Sequence, residues 1–269
     1  MPDHRALRRT KDGALRSINK FLWYVPVLSA VAAWQILSSA GVIPETRLPS
    51  PLNIANGLTE LLTTGLPPGF TLASHCIASL KRVLSGMALA LVTALPLGVL
   101  MGYWNWMRNV LRPFVELVRP IPPLAWVPLA ILWFGIGDGA ASFIIFLGSF
   151  FPILINTMTG VSSINKRLVE MSILLGAGKS DLFAKVFIPG AMPSIIAGIR
   201  IALGIGWMTL VAAEFTGVKS GYGLGYMIMT ARDIQRADQI IAGMFVIGLI
   251  GYGMDWAVRR IETRMLRWR

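Results

Sequence analysis

Charged residues are scarce in this chain of 269 residues: they make up 14% of it, while hydrophobic residues make up 55%. An average soluble domain carries about 25% charged residues. Cys76 is the one cysteine, so an internal disulfide framework is excluded. The two histidines have no companions at the spacing of metal ligands, so no metal site is predicted. The composition indicates that hydrocarbon, rather than water, surrounds most of the chain.

Catalytic constellations are absent as well, because no Ser/His/Asp set and no paired carboxylates converge anywhere in the sequence. The string Gly178-Lys179-Ser180 is similar to the end of a phosphate-binding loop. That loop needs an opening glycine at position 173, which is Ile173, and no strand precedes it. We therefore predict neither catalysis nor a cofactor in this chain.

Long apolar segments are what the sequence does contain. About 20 apolar residues span a bilayer as a helix, and six segments are candidates. They are residues 21–40, 83–107, 120–137, 139–165, 193–215 and 239–254, of which only the fifth carries charges, Arg200 and Glu214 near its two ends. The third holds four prolines and is predicted to be bent or partly unwound. The predicted fold class is an all-α polytopic membrane protein with six transmembrane helices.

Basic residues give the orientation. With the N-terminus in the cytoplasm, nineteen Lys and Arg residues, among them Arg119, fall on the cytoplasmic side, and six, among them Lys81 and Arg82, fall in loops outside. This bias predicts that both termini are cytoplasmic. The net charge of +12 then reflects topology and contact with lipid headgroups rather than nucleic-acid binding. Residues 1–20 are predicted to be a basic cytoplasmic tail, and residues 21–70 the first helix with an extracytoplasmic segment.

Residues 161–192 form the largest predicted cytoplasmic loop. Apolar residues recur at helical spacing on both sides of Gly176-Ala177-Gly178, which predicts two short helices around a glycine turn. Pro189 and Pro193 are predicted to end this unit. An apolar helix face in the cytosol needs a cover, so a partner groove is one interpretation. The alternative is a loop that lies on the bilayer or packs on its own spans.

The stretch EMSILLGAGKSDLFAKVFIP, residues 170–189, resembles the E-A-A-x-x-x-G-x(9)-I-x-L-P signature of ABC-importer membrane subunits. Glu170, Gly176 and Pro189 stand at the spacing of that signature. The departures are Met171-Ser172, Val186 and Ile188, which keep similar size or polarity. The segments RPIPPLAWVPLAILWFGIG and GIRIALGIGWMTLVAAE are similar to the branch that serves taurine, alkanesulfonates, nitrate and bicarbonate.

The resemblance implies the type I ABC importer fold, with a five-helix permease core over residues 71–269. In that family the loop is a coupling helix docked on a cytoplasmic ATPase, which binds the ATP and Mg. The implied partners are an ATPase dimer, a second copy of the chain, an extracytoplasmic solute-binding protein and membrane lipid, and the implied location is a bacterial inner membrane. The coupling residues carried over are Glu170, Gly176, Ala177, Gly178, Lys179, Leu182, Phe183 and Pro189. Leu182 and Phe183 would fill the groove or, alternatively, pack inside the loop.

Three residues are predicted to line a translocation pathway. Glu214 is an acid near the end of a span, where burial is costly. It is interpreted as a gate, an inter-subunit hydrogen bond or the partner of an arginine. Trp207 lies on the same helix face, and packing against a neighbouring span is its alternative. Trp126 lies among the prolines of the third span, where a broken helix would expose backbone N–H groups to an anion.

The predicted function is a permease subunit that imports a small anion, with taurine or an alkanesulfonate ahead of nitrate or bicarbonate. The alternative is a secondary transporter driven by an ion gradient. That class favours two halves of similar hydropathy and acids deep within the spans. Six unequal segments and one terminal acid do not fit it.

Overall fold

A computed structural model describes residues 25–42, 44–215 and 222–266, and every regular element in these ranges is helical. The predicted basic tail, residues 1–20, lies outside the described residues. The helices are α1 (Val25–Ser39), α2 (Pro51–Thr63), α3 (Leu72–Tyr103), α4 (Asn105–Val118), a 3-10 turn (Pro123–Trp126), α5 (Val127–Phe134), α6 (Asp138–Ser162), α7 (Lys166–Leu174), α8 (Lys179–Leu182), a π turn (Phe183–Phe187), α9 (Ile188–Phe215), α10 (Leu224–Asp233) and α11 (Ala237–Met265).

The long helices run between two ends of the molecule. At the loop end, the π turn that follows α8 lies beside the last turns of α11, because Phe183 and Met265 line one cavity. At the far end, the starts of α3 and α6 meet the end of α9, where Arg82 bridges Asp138 and Glu214. Short helices α2 and α10 also lie at the far end, packed on the start of α11.

Four helices are long and apolar enough to cross a membrane: α3, α6, the continuous run Lys179–Phe215, and α11. One further helix pair, α4 and the 3-10 turn with α5, is apolar enough only when the two halves are taken together, and the halves are bent by 82° relative to each other. We call this pair the broken span. This broken span begins beside Tyr103 at the loop end and finishes at Phe134, which packs on Phe143 of α6 at 5.2 Å between ring centroids. The predicted bend of the proline-rich segment is thereby confirmed. Helix α1 is shorter and coincides with the first predicted segment, residues 21–40.

Helices α3, α6 and α9 form the centre of the molecule, and glycines let them approach closely. A Cβ added at Gly198 would lie 2.7 Å from the Cβ of Asn156, and one at Gly206 would lie 2.8 Å from Ser149 Oγ. At Gly204 nothing lies within 4 Å. Small residues at helix contacts are typical of membrane bundles, so packing explains Gly198 and Gly206 but not Gly204.

Two predicted boundaries are corrected. Helix α3 begins at Leu72 rather than at residue 83, because Arg82 is buried and ion-paired instead of marking a loop. Pro189 and Pro193 do not end the loop unit, since helix continues from Lys179 to Phe215. The π turn before Pro189 supplies the reason: Ile188 N–H donates to Phe183 O, and this wider turn accommodates a residue that lacks an N–H.

Candidate functional site

The turn between α7 and α8 is closed by two backbone hydrogen bonds. Gly176 N–H donates to Ile173 O at 2.9 Å, and Ala177 N–H donates to Ser172 O at 3.0 Å. Gly176 has φ +87°, a left-handed conformation that favours glycine. This pair of bonds around a left-handed glycine is the Schellman helix end. The glycine of the signature is therefore the residue that stops α7 and turns the chain.

The apolar side chains of α7 are exposed. Leu174 and Leu175 are each 86% exposed, and Met171 and Ile173 also lie on the surface. Glu170 is exposed on the same short helix. An exposed apolar surface of this kind indicates a contact with a partner or with lipid. We call the set Met171, Ile173, Leu174 and Leu175 the α7 patch.

The two expected anchors of the second loop helix are corrected. Leu182 is buried, with 7% of its surface exposed. Phe183 is half-buried and packs edge-on against Tyr103 of α3, at 6.1 Å between ring centroids. Both side chains pack inside the chain because α8 continues directly into the membrane helix. Internal packing, the alternative for these residues, is what the structure has, and the outward apolar residues belong to α7.

The remaining predicted coupling residues of the loop have backbone conformations that other residue types could also adopt. Gly178 has φ −74° and ψ 171°, which any residue adopts, and it is the N-cap of α8. Lys179 begins α8 with its side chain exposed, and Ala177 is half-buried. Pro189 is half-buried in the first turn of α9. Of the two glycines flanking Ala177, only Gly176 is required by its backbone conformation.

Glu214 is an ionisable residue of the far end with none of its surface exposed. Ser79 Oγ lies 2.8 and 3.0 Å from its two carboxylate oxygens, and Gly225 N–H donates to Oε2 at 2.8 Å. Arg82 donates to Oε1 through a terminal nitrogen. A buried carboxylate is tolerated only when it is paired and hydrogen-bonded. Of the three interpretations of Glu214, partnership with an arginine is the one that the structure shows.

Arg82 joins four parts of the chain. Its Nε donates to Asp138 Oδ1 at 2.7 Å, and a terminal nitrogen donates to Tyr222 O at 2.9 Å. With the bond to Glu214, the guanidinium of α3 thus reaches α6, α9 and the segment before α10. Sequence reasoning assigned Arg82 to a loop. The signal that could have found it is the helical spacing of His75, Ser79 and Arg82, all of which are buried.

The aromatic pathway candidates lie in different places. Trp207 is buried, and its indole N–H donates to Ile247 O of α11 at 3.3 Å. Packing against a neighbouring span, its alternative interpretation, is therefore what the structure has. Trp126 is half-buried at the end of the 3-10 turn in the broken span. The structure does not bring Trp126, Trp207 and Glu214 together into one cavity.

Arg119, which sequence reasoning counted as a topology signal, lies at the bend of the broken span. It lines two cavities of about 310 and 410 Å³, formed with α6 and, in the smaller one, with α9. It has no ion pair among residues 25–42, 44–215 and 222–266. A cation at an interrupted membrane helix is suited to contact an anion. Within those ranges no group of three His, Cys, Asp or Glu residues could hold a metal.

Comparison with known proteins agrees with this architecture. Residues 94–267 match the family described as the binding-protein-dependent transport system inner membrane component. A solved structure with the same fold is the MetNI methionine ABC transporter in an inward-facing conformation. The TM-score is 0.63 at 22% identity, over 72% of this chain and 95% of that one.

Three relatives share more of the sequence. The Methanocaldococcus jannaschii chain that carries the name ABC transporter permease protein MJ0413 is 44% identical over 89% of each chain. The taurine transport system permease protein TauC of Escherichia coli is 35% identical over 88% of this chain and 86% of its own. The bicarbonate transport system permease protein CmpB of Synechococcus elongatus is 36% identical over 90% and 87%.

These findings define the class as a multi-pass membrane permease with the type I ABC importer fold. The chain belongs to the binding-protein-dependent family of ABC transporter permeases.

Proposed function

We propose that this chain is the permease subunit of an ATP-driven importer, and that the α7 patch docks on a separate ATPase subunit. The observation that carries the proposal is the exposed patch directly beside a Schellman turn, within a loop that matches the coupling signature of the family. Leu174 and Leu175 offer two fully presented aliphatic side chains, which suit an apolar groove. The membrane orientation that follows places the loop end and both termini in the cytoplasm.

The partners in this proposal are two ATPase subunits, a second copy of the chain and an extracytoplasmic binding protein. Helix α8 supports the coupling role, since the helical run continues from Lys179 to Phe215 and carries Glu214 in its last turn. A displacement of the loop would therefore be transmitted along one rigid element to the ion-paired far end. ATP and Mg would be bound by the ATPase and not by this chain.

The proposed cargo is a small anion or an anionic group of a small molecule. TauC and CmpB are named for taurine and bicarbonate, and they resemble this chain almost equally, at 35% and 36% identity. Identity alone therefore does not choose between a sulfonate and bicarbonate. Arg119, which has no ion pair among the described residues and lines two membrane cavities, supports an anionic group in the cargo.

Co-purification tests the docking surface. The double variant Leu174→Ser and Leu175→Ser should lose the ATPase subunit during affinity purification in detergent, and uptake should fall with it. Leu62→Ser is the matched control, because Leu62 is an exposed leucine of α2 at the far end. Retention of the ATPase by the double variant at the level of wild type would contradict the proposal.

A further inference from the structure

A cavity of about 640 Å³, lined by both apolar and charged side chains, lies at the far end and takes no part in the coupling loop. Its volume is within the range of roughly 300–1,000 Å³ that is usual for small-molecule sites. One stripe of α3, the start of α6 and two aromatic residues form its wall. The side chains that matter here are Lys81, Ser85, Asp138, Ser142, Phe70 and Tyr222.

Lys81 is the cation that this cavity offers to a ligand. Its side chain is exposed and has no ion pair among the residues that the structure describes. The neighbouring Arg82 also borders the cavity, but only 3% of its side chain is exposed, and its nitrogens bond Asp138, Glu214 and Tyr222 O. An anionic group entering the cavity would therefore meet the ammonium of Lys81 and not the guanidinium of Arg82.

Asp138 brings a negative charge to the same cavity. It is 68% exposed, and Arg82 Nε occupies only Oδ1, at 2.7 Å. Oδ2 has no hydrogen-bond donor in the described part of the chain. A simple anion such as nitrate would be attracted by Lys81 and repelled by Asp138, and the two effects offset each other. A molecule with both charges would be attracted by both residues.

The hydroxyl groups favour a donor near Asp138. Ser85 Oγ donates to Arg82 O at 2.9 Å, and the hydroxyls of Ser85 and Ser142 lie 2.8 Å apart. With the Ser85 proton on Arg82 O, Ser142 can donate to Ser85, and the Ser142 oxygen can then accept a hydrogen bond from a ligand. Phe70 and Tyr222 stack at 5.3 Å between centroids and offer an apolar wall to a short alkyl chain.

We propose that this cavity binds small zwitterions. The ammonium end would lie at Asp138 and Ser142, and the sulfonate or carboxylate end at Lys81. The proposal deepens the proposed function, on which it rests for the direction of transport, by naming an aminoalkyl sulfonate or carboxylate as the cargo class. The cavity would receive the molecule at the far end before it enters the membrane.

Ligand binding can be measured on the purified full chain in lipid nanodiscs, without any ATPase, by saturation-transfer NMR. The probes are taurine, 3-aminopropanoate, propanesulfonate and nitrate. Asp138→Asn should lower the preference for taurine over propanesulfonate by about two- to fivefold, as for a partly exposed ion pair. Lys81→Gln should weaken taurine and propanesulfonate together. The two zwitterions distinguish a sulfonate from a carboxylate cargo.

Charge-matched controls lie outside the cavity at the far end: Asp233→Asn for the acid and Arg47→Gln for the base, both exposed. Neither should change the preference. Thermal unfolding of each variant checks that the fold is kept. Equal binding of taurine and propanesulfonate by wild type, or an unchanged preference in Asp138→Asn, would overturn the zwitterion site. Because this readout needs no ATPase, it is independent of the co-purification test for the importer.

Discussion

The Schellman turn at Gly176 leads to a quantitative prediction for Gly176→Ala. A Cβ at this position meets nothing within 4 Å, so the effect is one of backbone conformation and not of a clash. A left-handed conformation costs a non-glycine residue about 1–2 kcal/mol. Alanine also lowers the conformational entropy of the opened loop, and this offsets about 0.4–1 kcal/mol of that cost. We expect the closed end of α7 to lose about 1 kcal/mol relative to its opened form.

Hydrogen–deuterium exchange measures this loss directly. The amide of Ala177 donates to Ser172 O in the closed turn, so it exchanges only when the turn opens. A loss of about 1 kcal/mol corresponds to about fivefold faster exchange at this amide and in the last turn of α7. Amides in the middle of α6 should be unchanged, since the opening is local.

Two further variants complete the test. Gly176→Asn should show a smaller increase, because asparagine tolerates the left-handed region better than alanine. Gly178→Ser should show none, because φ −74° and ψ 171° suit serine at the N-cap position of α8. The reasoning is refuted if Gly176→Ala exchanges at the wild-type rate, or if Gly178→Ser accelerates exchange as much.

Three other predictions concern stability, each measured by thermal or chemical unfolding in detergent. Glu214→Gln should destabilise the fold by about 2–4 kcal/mol, because an amide has one acceptor oxygen where the buried carboxylate uses two; a loss below about 1 kcal/mol would contradict this. Gly198→Ala should cost about 1–3 kcal/mol through contact with Asn156, whereas Gly204→Ala has open space and should cost nothing of that kind; equal losses would refute the packing argument. The hydrogen bond from Arg236 holds the pKa of Glu60 below its usual 4.5. The free energy of unfolding should therefore fall by up to about 1 kcal/mol as the pH drops from above 4.5 through the lowered pKa. Glu60→Gln should remove this contribution of Glu60 to the pH dependence of stability.

The apolar segments and the coupling signature could be recognised in the sequence because both are local. A run without charge indicates an apolar environment directly, and α3, α6, α9 and α11 each overlap a predicted segment, whereas most of α4 lies between the second and third predicted segments. The end of α7 at Gly176 could also be recognised from neighbouring residues, since a glycine followed by a new amphipathic pattern is typical of a helix end. The bend of the third span followed from its prolines.

The misjudged residues depend on the rest of the fold. Lys81 and Arg82 appear in the sequence as a basic loop, yet Arg82 is buried because Glu214, more than a hundred positions later, lies against it in the bundle. Leu182 and Phe183 have the same apolar character as Leu174 and Leu175. Only the continuity of α8 with the spanning helix decides that the first pair packs inward and the second faces outward.

The amino-acid sequence by itself determined that the chain is helical, lies in a membrane and carries a glycine-hinged loop, because hydropathy and backbone preference act over a few neighbouring residues. The tertiary structure decided which charges are paired, which apolar residues remain exposed and where Lys81 and Asp138 share a cavity. Those properties depend on the distance between side chains from separate helices, and that distance is set only when the helices pack.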